Sequence, residues 1–580
     1  MSETAMGNPC RLRGAAGPLL LFALLVVAKT LVVMPETFGP VVFNDEYLYK
    51  QFAESLSHLR FYGSPQYPPL YPMLLAPAFA FGKHFFEAML GINVIVSSAA
   101  VFPAYAIARL HLDRRTSLMC AAVVAVLPFH LVFPRSLLSE NLYFPLLLLA
   151  FYLVLVEVRS KRLWLDVATG VVLGCLYLTR HISFVIIPPL LLVWWLKPIE
   201  GQSGRFGFSR RRLLHFAALI GAAFLTYAPW IAANLSAGNG IGSTLGFGIA
   251  AKTNPEQLTL ARLTNIATCY LAYFVLLAAP VASFVFAAPV VAVKRGLLTA
   301  YGRLTVAVYG TAAAVFVAVV RHSWRAFYNY SEFAKLMGRY PLHFTGLFVI
   351  LAFVTALGPL SEAFAKRPLT HARLTAAIAL AAASAGAVLL AWRLIISRSL
   401  IPFTATISDR GAVDGYRLGL IGEAGLWVAM CLGFVFVLLL ALGRSKALSW
   451  VMTVGLVLYW LWGGGSYLDV LRSHQGLARL ARETAELAIA EYPEGVTVTV
   501  PSSLVSGSSQ TTRLARGMRF WGLGEVAAEE PRYEIGPTPH DARIEVVTVQ
   551  PGADVSQVPG LVASYEYAGT VYAFVESAPQ

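Results

Sequence analysis

The sequence predicts a polytopic α-helical membrane protein of about thirteen transmembrane helices, followed by a small C-terminal α/β domain outside the cytoplasm. Composition, the length of the apolar runs and the charge of the connections between them predict it. Hydrophobic residues make up 57% of the 580-residue chain and charged residues 13%, against about 45–50% and about 25% in an ordinary soluble domain. Mean hydropathy is +0.65. The apolar runs recur at close to the ~20 residues that cross a bilayer core. The first, Pro18 to Met34, follows Arg11 and Arg13 as a secretory signal would. No small-residue cleavage site follows it and many further runs do, so it reads as a span.

Spans are expected near 17–36, 87–109, 116–133, 142–158, 163–179, 182–197, 213–233, 265–293, 303–320, 341–358, 374–395, 423–442 and 447–463. With the N-terminus cytoplasmic, every second connection should be basic. The pattern holds at Arg114 and Arg115; Arg159, Lys161 and Arg162; Arg205 and Arg210 to Arg212; Lys294 and Arg295; Lys366, Arg367 and Arg373; Arg444 and Lys446. The same bias accounts for the net charge of +14 without a nucleic-acid partner. The five cysteines (Cys10, Cys120, Cys175, Cys269 and Cys431) lie in or beside apolar runs without metal-ligand spacing and read as packing residues.

An odd number of spans divides the chain into a membrane domain, 1–463, with a first outer loop at about 38–86, and an outer domain, 464–580. Gly463 to Gly465 should close the last helix. Beyond it, Leu477, Leu480, Thr484, Leu487 and Ala488 keep helical spacing. Val496–Val500 and Ile544–Val549 read as strands, and Ser564–Tyr567 with Gly569–Val575 as a hairpin around Ala568-Gly569.

The two faces differ in their polar residues. The first outer loop carries Asn44-Asp45-Glu46-Tyr47 and then Gln66-Tyr67-Pro68-Pro69-Leu70-Tyr71-Pro72. Between them Tyr49, Phe52, Ala53, Leu56 and Leu59 form an amphipathic stripe suited to an interfacial helix. Leu70 to Phe81 is short for a span and suggests an interfacial or re-entrant piece. Asp45 and Glu46 at the membrane surface are candidates for a general base, with an N-cap from Asn44 or Asp45 as the structural alternative. Arg135-Ser136-Leu137-Leu138-Ser139-Glu140 places Arg135 and Glu140 in a tight outer turn, where charge is costly unless paired, hydrated or functional. Ser139 or Glu140 opening the next helix is the alternative there.

A third segment holds Asp409, Asp414 and Glu423 among Arg398, Arg410 and Arg417. Arg180 and His181 occupy another outer turn, and Arg321, Arg325, Lys335 and Arg339 are interleaved with Trp324, Phe327, Tyr328, Tyr330 and Tyr340. Outer arginines oppose the topological bias, and an anionic headgroup read by their forked donors is one local reason for them. An interfacial aromatic belt accounts for the same aromatic residues.

Together these motifs resemble the GT-C superfamily of membrane glycosyltransferases, nearest to the protein O-mannosyltransferases and the lipid A aminoarabinose transferases. The resemblance lies in the first ~200 residues and around Arg339. It implies that Asp45 is the catalytic base with Glu46 beside it, and that Glu140 is a second acid. It implies donor-phosphate contacts from Arg339, Arg135 and Arg180, and substrate contacts from Tyr47, Tyr71 and Tyr340. The expected reaction moves a sugar from a polyprenyl-phosphate donor to a hydroxyl of a glycan, lipid or protein, with inversion, at the outer face of a bacterial inner (plasma) membrane. No metal is expected to be obligatory, with Mg²⁺ or Mn²⁺ between the two acids as the exception. Relatives often carry His or Lys just before the two prolines, where this chain has Gln66-Tyr67. A transporter or flippase of lipid-linked sugars is the alternative function. Its usual internal repeats are not found here.

Overall fold

The computed structural model describes residues 16–35, 37–40, 44–60, 62, 64–156, 163–197, 209–245, 258–325, 340–365, 370–397, 423–491, 497–501, 520–521, 528–529, 532–535, 543–549, 554–567 and 570–577. Arg339, Lys335 and the Asp409–Asp414 segment lie outside them. The helices are α1 (Ala16–Val33), α2 (Asn44–Ser57), α3 (Leu70–Leu75), α4 (Phe85–Ser98), α5 (Val101–Arg109), α6 (Arg114–Ala125), α7 (Pro128–Val132), α8 (Glu140–Leu155), α9 (Leu163–Tyr177) and α10 (Ser183–Trp195). There follow α11 (Arg210–Ser236), α12 (Ile241–Thr244), α13 (Leu260–Leu277), α14 (Ala282–Arg295), α15 (Ala300–Arg325), α16 (Phe344–Thr355), α17 (Ser361–Ala365), α18 (His371–Ser397), α19 (Glu423–Ala441) and α20 (Ser445–Glu491).

The chain is a multi-pass membrane protein. Among the described residues eight helices are long and apolar enough to cross a bilayer, or nine if the bent pair at α6 and α7 is one span. Three shorter apolar helices, α8, α9 and α10, accompany them. The tally differs from the thirteen expected because α8, α9 and α10 are shorter than 18 residues, α6 and α7 are a bent pair, and α20 is not among the eight. The stretch expected at 265–293 divides at Ala278 into α13 and α14, with Pro280 in the break. The stretch expected at 116–133 bends by 63° between α6 and α7, where Pro128 supplies no N–H. Leu70 to Arg109 forms one helical run, kinked at Gly82, whose φ of 57° suits glycine. The piece expected to be interfacial or re-entrant is the first part of this run.

Lipid offers apolar side chains no gain from leaving water, so helices associate here by close van der Waals contact at small residues. Gly170 and Gly174, four residues apart on α9, meet α11 in this way. A Cβ on Gly170 would stand 2.1 Å from the Leu219 carbonyl oxygen, and one on Gly174 would stand 2.6 Å from Thr226 Cβ. The centre of the bundle is α16, all twelve of whose residues are buried.

α20 corrects the expected end of the last span. It runs for 47 residues straight through Gly463 to Gly465, about 70 Å of helix against a hydrocarbon core of ~30 Å. Glycine costs a helix only about 1 kcal/mol and breaks none of its hydrogen bonds. The distal part is supported by the i,i+4 pairs Arg479–Glu483 and Arg482–Glu486. Beyond α20 lies a six-stranded sheet of β1 (Thr497–Pro501), β2 (Ala528–Glu529), β3 (Arg532–Ile535), β4 (Arg543–Val549), β5 (Leu561–Tyr567) and β6 (Thr570–Ser577), in the order β2-β3-β1-β4-β6-β5. β1 and β4 are parallel and the other neighbours antiparallel. Tyr567 pairs with Thr570, so the two strands of the expected hairpin join across residues 568–569.

The α9–α11 contact yields a test. Gly170→Ala should destabilise the protein by roughly 2 kcal/mol or more, because the clash is with backbone and no rotamer relieves it. Gly221→Ala, with nothing within 4 Å of its Cβ, should be neutral or raise stability by up to about 1 kcal/mol. Thermal unfolding of the purified variants in detergent measures both.

Candidate active site

α2 turns its first two carboxylates in different directions, as neighbours about 100° apart around a helix must be. Glu46 points inward. It is 1% exposed, and its Oε2 accepts the backbone N–H of Leu137 at 3.0 Å. Asp45 is half-buried, and its Oδ1 accepts the Tyr67 hydroxyl at 3.1 Å. One carboxylate thus ties α2 to the buried turn between α7 and α8, while the other remains open to solvent on one side.

That turn, Phe133 to Ser139, is fully buried, so its backbone carbonyls need partners. Two asparagines supply them. Asn141 Nδ2 donates to the carbonyls of Phe133, Ser136 and Leu138 at 3.0–3.1 Å, and Asn93 Nδ2 donates to that of Ser136 at 3.1 Å. Asn93 Oδ1 in turn accepts the Tyr71 hydroxyl at 2.9 Å. Arg135 reaches back to the C-terminal end of α1. Its Nε donates to the Val32 carbonyl at 3.1 Å and its Nη2 to that of Pro35 at 3.3 Å, joining carbonyls at a helix end where the chain cannot.

Ser139 stands at the N-cap of α8 but has helical backbone angles and makes no cap bond. Its hydroxyl instead accepts from Tyr49 Oη at 3.0 Å and from Arg180 Nη1 at 3.3 Å. Arg180 forms an ion pair with Glu140, whose side chain is 1% exposed. The guanidinium also faces the rings of Tyr340 at 5.0 Å and Tyr143 at 5.8 Å. Beside Arg180, a His181 ring nitrogen lies 2.6 Å from the Pro65 carbonyl oxygen, joining the α9–α10 turn to the first loop. Tyr49 packs edge-on against both Tyr67 and Tyr71.

Tyr49 is the point where the charges meet. Burial holds its phenol well above the usual tyrosine range; Asp45 and Glu140 push in the same direction, while Arg180 and the Ser139 hydrogen bond oppose them. The phenol therefore stays a neutral donor between one half-open carboxylate and one buried arginine–carboxylate pair.

Of the residues expected from the sequence, the fold gathers Asp45, Glu140 and Arg180 around Tyr49, with Tyr71 against its ring and Tyr340 against Arg180. Glu46 and Arg135 sit deeper and fasten backbone. Tyr47 is hydrogen-bonded to Gln51 on α2. The sequence marks Tyr49, Ser139 and His181 only as stripe, cap and turn residues, and does not mark Asn93 and Asn141 as site residues. A signal was available for Asn93, a polar amide in an otherwise apolar helix, since such groups need a buried partner. Asn234, in a glycosylation-type Asn234-Leu235-Ser236 triplet, is fully buried, with its side chain bonded to Trp230 and Asn239. Among the described residues no three His, Cys, Asp or Glu side chains converge as a metal site would require.

No protein-family model and no curated protein matches the chain. Solved structures do. The chain shares its fold with ArnT, a membrane protein of low sequence identity to it. The apo crystal structure of ArnT from Cupriavidus metallidurans matches with a TM-score of 0.51 and 14% identity, over 97% of this chain and 98% of that one. The same protein bound to undecaprenyl phosphate matches with a TM-score of 0.51 and 13% identity over the same shares. The Archaeoglobus fulgidus oligosaccharyltransferase overlaps less, with a TM-score of 0.36 and 14% identity over 71% and 57%.

His181 gives the site a pH dependence of known sign. Burial lowers its pKa from 6.5 to about 4, the hydrogen bond to Pro65 partly opposing the fall. The unfolded chain takes up this proton first as pH drops, so the contribution to stability is complete above about pH 6.5 and is lost toward pH 4. Wild type should lose up to about 3 kcal/mol over that window from this group. His181→Gln, which cannot ionise, should show a correspondingly flatter profile of melting temperature against pH.

Proposed function

We propose that the chain transfers a sugar from a polyprenyl-phosphate donor to an acceptor hydroxyl, at the outer face of the membrane, with inversion at the anomeric carbon. The observation that carries the reading is the convergence of Asp45, Glu140 and Arg180 on the Tyr49 phenol. It puts a half-open carboxylate near a cation held in place by its own buried counterion. A displacement at an anomeric carbon needs both groups. The fold shared with ArnT, a protein solved with undecaprenyl phosphate bound, supports the donor class.

Asp45 accepts the proton of the acceptor hydroxyl as its oxygen attacks the anomeric carbon. The bond between that carbon and the donor phosphate oxygen breaks, and the polyprenyl phosphate leaves with the bonding pair. Arg180 stabilises the charge that grows on the leaving phosphate, as a donor fixed before the reaction should. Glu140, Ser139 and Tyr340 keep it from rotating away. Arg339, adjacent to Tyr340 in the chain, joins it at the phosphate. Tyr67, on the Asp45 carboxylate, and Tyr71 orient the base and its loop, and Tyr47 lies along the acceptor side. Glu46 and Arg135 hold the loops that carry these groups. No divalent ion is required, because arginine supplies the positive charge that the leaving phosphate needs.

Sugar transfer by the purified protein from a panel of polyprenyl-phosphate sugars tests the reading. Asp45→Asn should lower the rate by about 10²–10⁴-fold without changing the melting temperature, and EDTA should leave wild type unaffected. Glu140→Gln should lower stability as well as rate, since breaking a buried ion pair costs about 3–5 kcal/mol. Full activity in Asp45→Asn would refute the base assignment. Labelled lipid-linked sugar crossing proteoliposomes without any transfer would replace the enzyme by a transporter.

A further inference from the structure

The residues beyond the last membrane-spanning segment meet the site-bearing loop through contacts that the mechanism above does not use. The Phe38 N–H donates to Gln475 Oε1 at 2.8 Å, and the Arg479 guanidinium faces the Phe38 ring at 5.6 Å. Gly39 lies so close to Trp521 that a Cβ there would stand 3.2 Å from the indole Nε1. Arg482 gathers these groups. Its Nη1 pairs with Glu87 at 3.0 Å and its Nε with Glu486 at 2.8 Å, while its guanidinium covers the Trp521 ring at 4.3 Å.

Phe520 goes deeper. It is 0% exposed and belongs to the same apolar cluster as Tyr49, Tyr71 and Leu137, packing edge-on against Phe86 at 5.3 Å. A second line of contact reaches α2 itself. Lys50 Nζ faces the Phe85 ring at 5.7 Å, and that ring lies 5.5 Å from Trp521. The approach to α2 therefore rests on side chains from the C-terminal part of the chain, and its midpoint rests on Phe85, which Trp521 touches. A helix of 14 residues is marginal by itself in water, so these contacts join those of Glu46 and Tyr49 in setting where α2 sits.

We propose that Arg482, Trp521 and Phe520 form a clamp that positions α2, and Asp45 with it, for the reaction. The C-terminal segment is then a working part of the site and not an appendage. They are positioning residues, since they act through α2. The clamp's effect on rate rests on the reading of Asp45 as base, while its effect on α2 does not.

Hydrogen exchange of the full-length protein in nanodiscs separates the two. Trp521→Ala and Arg482→Glu should each speed exchange across residues 44–57 by about tenfold, with α9 unchanged. The charge-swapped pair Arg482→Glu/Glu87→Arg should restore most of the protection. In the transfer assay both single variants should lose about tenfold or more in kcat, while KM for the donor moves less than about twofold, because misplacement of a catalytic group by a fraction of an ångström acts on the chemical step. Unchanged exchange at 44–57 in both single variants would overturn the clamp. So would faster exchange everywhere, α9 included, because that is loss of the fold and not of a position. If wild type transfers no sugar, the assignment of Asp45 fails and the exchange comparison still decides the clamp.

Discussion

The ion pair between Glu140 and Arg180 is the constraint on which the site depends. A carboxylate 1% exposed at the start of an apolar helix is tolerable only with a cation beside it. Meeting that need fixes the α9–α10 turn against the start of α8. Once Arg180 is fixed, the Ser139 hydroxyl is drawn out of a capping role to accept from it, and Tyr49 completes the arrangement from α2. Three separate parts of the chain are thereby registered to one another at a single point. The pair contributes little net stability of its own, since desolvation offsets attraction in buried pairs. Its effect is to hold a cation in one place, as the proposed leaving-phosphate chemistry would need.

Around that point similar residues take different places in the scaffold. Of two adjacent carboxylates, Glu46 anchors α2 to the Leu137 N–H and Asp45 stays half-open. Of two arginines at the same end of the bundle, Arg135 occupies itself with α1 carbonyls and Arg180 is presented among aromatic rings. Deep in the bundle, close packing replaces the hydrophobic effect, and Gly170 and Gly174 set the approach of α9 to α11. The same economy recurs at the far end of the chain, where α20 extends past the apolar segment and brings Gln475 and Arg479 to Phe38, before α2, and Arg482 to Glu87 on α4.

Much of this was legible in the sequence because it follows from local chemistry. Apolar length gave a many-helix membrane protein. The motifs Asn44–Tyr47, Gln66–Tyr71 and Arg135–Glu140 marked three segments that converge, and the strands expected at 544–549, 564–567 and 569–575 from alternation and a two-residue turn overlap β4, β5 and β6. What failed were inferences in which tertiary contact outweighs a local signal. Three glycines did not stop α20, because its helix is carried on by its own hydrogen bonds and distal ion pairs. Prolines and bends broke expected spans at Pro128 and Pro280. The roles of Glu46 and Asp45 could not be told apart from a dipeptide, since the difference is a rotation of about 100° toward a turn some ninety residues away. Tyr49 and Ser139 looked like an interfacial aromatic and a helix cap until the α9–α10 turn supplied Arg180.

The most direct measurement is binding of polyprenyl phosphate to the purified protein by native mass spectrometry, comparing wild type, Asp45→Asn and the double variant Glu140→Gln/Arg180→Gln. The double exchange removes both charges together and leaves no orphaned ion, so the fold should survive it. The account predicts that Asp45→Asn binds the lipid as wild type does while the double variant does not. Equal binding by all three would contradict the placement of the donor phosphate at Arg180, and with it the site described here.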